Sequence, residues 1–79
     1  MKLNEIKIGQ FFTIDNTPSY PKLRTKYGYI DVRDENKKNT EDLPWDLQLM
    51  TDEDVIKQFE RFGIKTLSDI NGMRTELLN

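Results

Sequence analysis

The apolar residues of this chain change their period partway along it. Up to Arg33 they recur at every second position, the spacing of a strand with one buried face. From Thr51 onward they recur at every third or fourth position, the spacing of an amphipathic helix. A β-rich part followed by a helical part predicts an α+β fold.

The strands are read from that alternation. In EIKIG, Ile6 and Ile8 share one face while Glu5 and Lys7 point the other way. FFTID sets Phe12 and Ile14 against Phe11 and Thr13. After a loop punctuated by Asn16, Pro18 and Ser19 comes KLRT, read as an edge strand because Pro21 beside it lacks a ladder donor. YGYIDVR places Ile30 and Val32 inward and Tyr29, Asp31 and Arg33 outward. Residues 34–48 are polar and unpatterned up to Leu43 and are read as a loop and then an extended segment, with Pro44 disfavouring helix at Leu43.

The helices announce themselves at their starts. Thr51 is an N-cap with Asp54 three residues on, and Asp52, Glu53 and Asp54 suit the positive end of the helix dipole. Val55, Ile56, Phe59 and Phe62 then form one apolar stripe, and Gly63 fits the residue after the helix. Thr66 with Asp69 repeats the capping pattern. It opens a second helix through Leu67, Ile70, Met73, Leu77 and Leu78, with Asn71-Gly72 as its expected weak point. The predicted core is single: Ile6, Ile8, Phe12, Ile14, Ile30, Val32, Val55, Phe59, Phe62 and Leu67.

The KIGQFF opening resembles the first strand of small SH3-like barrels. Over residues 6–33 that resemblance implies a small antiparallel sheet or partial barrel, and it carries no functional residues with it. FERFGIKTLSDI is similar to the helix-Gly-Ile-turn-helix joints of helical DNA-binding modules. It lacks the paired-glycine hairpin of the helix-hairpin-helix family, and it lies in the acidic half of the chain. The expected architecture is one domain over 1–79: β-rich 3–33, loop 34–50 and helical 51–78.

With 79 residues, the chain has room for only a modest core. Leu, Ile, Val and Phe make up 21 of them, enough to fold rather than remain disordered. No apolar run reaches membrane-helix length and no leader precedes the fold, so a cytoplasmic protein is expected. The absence of histidine and cysteine removes thiol and imidazole catalysis and the commonest zinc ligands. Residues 31–42 fail as a calcium loop, with Arg33 at a ligand position and Asn36 at the glycine position. The glycines, at 9, 28, 63 and 72, write no phosphate loop. Asp31, Asp34 and Glu35 are carboxylates that could pair for acid-base work, but a domain this small rarely encloses the cleft they need. No enzyme, metal or cofactor is expected.

Charge divides the chain. Residues 1–40 hold eight basic and five acidic side chains, +3; residues 41–79 hold four and nine, −5. Within the basic half, Tyr20, Lys22 and Arg24 fall on one face of a strand, and Tyr27, Tyr29, Asp31 and Arg33 on one face of the next. If exposed, they present anchors for a protein partner. The alternative is a nucleic-acid face of stacking rings and cations, against which Asp31, Asp34 and the overall negative charge weigh. Trp45, in LPWDL, is either a plug between sheet and helix or an exposed anchor on a loop. The expected function is a non-catalytic protein-interaction or regulatory module.

Overall fold

The computed structural model describes residues 1–14, 21–32, 38–60 and 63–78. The chain forms a 3₁₀ turn (Leu3–Glu5), strands β1 (Phe11–Ile14), β2 (Lys22–Arg24), β3 (Tyr29–Asp31), β4 (Lys38–Asn39) and β5 (Leu47–Met50), and helices α1 (Asp52–Phe59) and α2 (Leu67–Leu78). The strands make one open antiparallel sheet in the order β4-β3-β2-β1-β5, so that β5 returns to the outer edge of β1. The α+β expectation holds, with an open sheet rather than a closed barrel. No helix among the described residues is long and apolar enough to cross a membrane.

Strand alternation divides the apolar residues between two faces. Phe11, Leu23 and Ile30 stand across from one another in register and bury against Val55, Phe59, Ile70 and Leu77 of the helices. Phe12, Tyr29 and Leu47 face the other way, under Leu3, Ile6 and Leu43. The single core expected is therefore two clusters, one on each side of the sheet. Ile14 and Val32 sit partly buried at their margins, and Phe62 lies outside the described residues.

Several sequence expectations are corrected. Residues 3–8 form no strand. The Lys2 amide donates to the Glu5 carboxylate at 2.9 Å and the Ile6 amide to the Leu3 carbonyl at 3.1 Å, which closes a 3₁₀ turn. Ile6 is buried by that turn, whereas Ile8 beyond it is 58 % exposed. KLRT is an inner strand, not an edge. Pro21 precedes the ladder and its carbonyl still accepts from the Val32 amide, so the missing N–H is no obstacle. In residues 34–50 the extended segment expected after Leu43 leads into β5, whereas β4 is a strand where only loop was expected; the two form the edges of the sheet. Leu67 at the start of α2 is exposed, and Ile70 takes the buried place.

Both caps form as read. The Asp54 amide donates to Thr51 Oγ1 and the Thr51 amide to the Asp54 carboxylate; Asp69 and Thr66 repeat the exchange. Hydrogen bonds from the Lys65 amide, the Thr66 hydroxyl and the Thr66 amide hold the Asp69 carboxyl below its ordinary range. Gly63 has φ of +95°, as a residue closing a helix should. Arg74, which sequence reading passed over, ties the helices to the sheet. Its guanidinium pairs with Asp52 and lies 5.0 Å from the Phe11 ring centroid.

Candidate functional site

The two strands that carry the basic and aromatic residues, β2 and β3, do pair. Lys22 stands opposite Asp31 and Arg24 opposite Tyr29. Their shared face, however, is the one covered by the 3₁₀ turn and Leu43, so the expectation of an exposed Tyr20–Arg33 surface is corrected. Lys22 is buried, with its ammonium 3.8 Å from the Asp31 carboxylate. Arg24 Nε donates to the Leu3 carbonyl at 3.1 Å, and Nη1 to the carbonyls of Thr25 at 2.6 Å and Gly28 at 2.9 Å. The guanidinium thus closes the hairpin and holds the N-terminal turn. Tyr29 is buried edge-on against Phe12, at 6.1 Å between centroids, and its hydroxyl donates to Glu41 at 3.1 Å. Burial first, and the Glu41 carboxylate second, push the phenol above its ordinary pKa. Tyr20 and Arg33 lie outside the described residues.

Two of the candidate anchors remain on the surface. Tyr27 tips the hairpin and is 76 % exposed, with Lys26 Nζ 5.6 Å from its ring centroid. Trp45 is 54 % exposed on the loop before β5, on the surface rather than a plug between sheet and helix. The register puts them apart. The hairpin tip lies beside Gly9 and Gln10 at the start of β1, whereas Trp45 precedes Leu47, which pairs with Ile14 at its end.

The hairpin end is the better-formed site. A groove of about 250 Å³ opens beside Tyr27 and Lys26, between Lys38 of β4 and the end of α2. Ile30 and Leu77, both buried, form its floor, and exposed Leu78 forms part of its rim. The apolar surface continues past the groove, because a Cβ on Gly9 would lie 3.9 Å from Leu78 Cδ1 and exposed Ile8 precedes that glycine. The hairpin can fold this tightly because residue 28 is glycine: a side chain there would run into the Asn39 carbonyl of β4. A second hollow of about 320 Å³, by the 3₁₀ turn, brings Lys2 and Asp42 together but no aromatic anchor.

Sequence reading missed Ile8 and Leu78 as surface residues. Leu78 could have been suspected, since Ile70 and Leu77 lie seven apart on one helix face and Leu78 falls beside it. Nothing local marked Ile8, whose exposure follows from the 3₁₀ turn. Among the described residues no group of three His, Cys, Asp or Glu side chains could hold a metal ion. Asp31, one of the three carboxylates considered for acid-base work, sits against Lys22; Asp34 and Glu35 lie outside the described residues. No protein-family profile, curated protein or solved structure matches the chain.

Proposed function

We propose that the protein is a non-catalytic protein-binding module, of adaptor or inhibitor type, that engages its partner with the hairpin end. The observation that carries this reading is the placing of Tyr27 and Leu78, both exposed, on a groove floored by Ile30 and Leu77, with exposed Ile8 next to the Gly9 that lies beside Leu78. Scattered exposed apolar side chains need no explanation; several sharing one rim around a concave site fit a docking surface. Lys26 and Lys38 flank the groove and favour a partner with carboxylates beside its apolar residues.

The nucleic-acid alternative is weakened by the same geometry. Lys22 and Arg24, two of its cations, are committed to Asp31 and to backbone carbonyls, and Tyr29 offers no ring face for stacking. What remains for it is Tyr27 with Lys26 and Lys38. Capture from lysate with wild type, Tyr27→Ala and Trp45→Ala, each with and without nuclease, tests the choice. A protein retained by wild type and Trp45→Ala after nuclease treatment, and lost with Tyr27→Ala, is the expected result. A signal that vanishes with nuclease, or that Tyr27→Ala leaves intact, refutes the hairpin-end reading.

A further inference from the structure

Strand β5 is the outer strand of the sheet beside β1, and its backbone is only partly used. Leu47 exchanges both backbone bonds with Met1: its amide donates to the Met1 carbonyl at 2.9 Å, and the Met1 ammonium donates to the Leu47 carbonyl at 3.1 Å. Leu47 therefore faces away from β1. In an antiparallel ladder the direction alternates, so Gln48 and Met50 face β1 and Leu49 faces out again. The other side of β1 requires the same alternation. Arg24 bonds to Gly9 and Gln10, which directs Lys22 and its partner Phe12 toward each other and leaves Phe11 and Thr13 to face β5. The Leu49 N–H and C=O thus point off the open edge, with no backbone partner among the described residues, and the side chain is 42 % exposed.

Such an edge invites another strand, and its charge selects which. Between Glu41 and Asp54 the chain carries six carboxylates and no basic residue. Asp42 and Asp46 stand exposed before β5, and Glu53 and Asp54 after it. A second copy is a poor occupant. Two β5 edges brought together about Leu49 would set the same run of carboxylates, Asp46 and Glu53 among them, against itself, and like charges repel across such a contact. We propose that the β5 edge receives an extended segment of a basic partner protein. That segment adds a strand at Leu49, beyond the Met1–Leu47 pair, sets an apolar side chain against Leu49, and brings lysines or arginines near Asp46 and Glu53. This surface is separate from the hairpin end and does not depend on it.

The test uses two capped octapeptides, one alternating lysine with valine and one alternating glutamate with valine. Amide exchange is followed by NMR on the whole chain. The lysine peptide should slow exchange at the Leu49 amide about tenfold or more, while Gln48 and Met50 stay protected throughout. Added salt should weaken the effect. Leu49→Pro should abolish it and leave the fold standing, because that N–H is outside the β1 ladder. Should that variant not fold, Asp46→Lys with Glu53→Lys serves instead and should transfer binding from the lysine peptide to the glutamate peptide. Three results overturn the proposal: a Leu49 amide unaffected by the lysine peptide, equal protection by both peptides, or protection in the free protein with a dimer in sedimentation. Because Tyr27→Ala should leave this binding unchanged, failure here and failure at the hairpin end are told apart.

Discussion

The two faces of the sheet are built from the same strands but covered in different ways. On one face Phe11, Leu23 and Ile30 meet two helices, and the contacts are hydrocarbon apart from Arg74 over Phe11. On the other face Phe12 and Tyr29 meet a 3₁₀ turn and a loop, and the strands there also carry Lys22, Arg24 and Asp31. The difference follows from the covering backbone. A helix satisfies its own amides and carbonyls, so the sheet beneath it can be wholly apolar. An irregular cover brings carbonyls without ladder partners, and the strand beneath must supply donors. Arg24 is that donor, reaching the Leu3 carbonyl from β2. Basic residues that look like a binding face in the sequence are, in the fold, what makes an irregular cover possible.

The largest expected effect lies under the helices. Phe59→Ala removes a buried ring from the helix-side cluster and should cost about 3–5 kcal/mol, a large share of a small domain's stability. Thermal unfolding should shift down by many degrees. An unchanged melting temperature would mean that the helices merely rest on the sheet, and the comparison of two equally structural faces would break.

The next effect is smaller and of a different kind. Arg24→Met keeps the length of the side chain and removes its donors to Leu3, Thr25 and Gly28. A loss of about 2–3 kcal/mol is expected, the range for hydrogen bonds to a charged group on a partly buried side chain. Exchange of the Leu3–Ile6 amides should accelerate more than exchange within α2. If all amides accelerate alike, Arg24 supports the whole fold rather than the irregular cover.

Legibility in the sequence follows the same division. The caps at Thr51 and Thr66 were readable because each is a bond between residues three apart. The opposite directions of Phe11 and Phe12, and the shared faces of Lys22 with Arg24 and of Tyr29 with Asp31, were readable because alternation is local. Strand β4 was not, and of β5 only an extended segment after Leu43 was legible, without its partner. Lys38–Asn39 has no apolar member, and Leu47–Met50 becomes a strand through pairing with β1 more than thirty residues earlier. The turn at Leu3–Glu5 was hidden because EIKIG alternates as a strand would. The site was half legible: the aromatic residues of the hairpin were singled out, but which of them is covered depends on Leu3, Ile6 and Leu43, distant in sequence. Tyr27 is left outside and Tyr29 is taken in, with a single glycine between them.

The smallest expected effect sharpens the account of the helical cover. Asn71-Gly72 reads as a break, yet α2 runs through both residues from Leu67 to Leu78. Packing holds it: Ile70 and Leu77, on either side of the pair, are anchored in the helix-side cluster. Glycine there only adds freedom to the unfolded chain, and a Cβ at position 72 would meet nothing within 4 Å. Gly72→Ala should therefore stabilise the protein by about 0.5–1 kcal/mol, as in an exposed helix interior. Gly28→Ala is the opposing control, since its Cβ would strike the Asn39 carbonyl, and it should destabilise. Melting curves give the sign, and amide exchange gives the place: α2 should slow while the 3₁₀ turn does not. A neutral or negative result at Gly72 would mean that helix propensity contributes nothing to this face, leaving side-chain packing alone to hold α2 on the sheet.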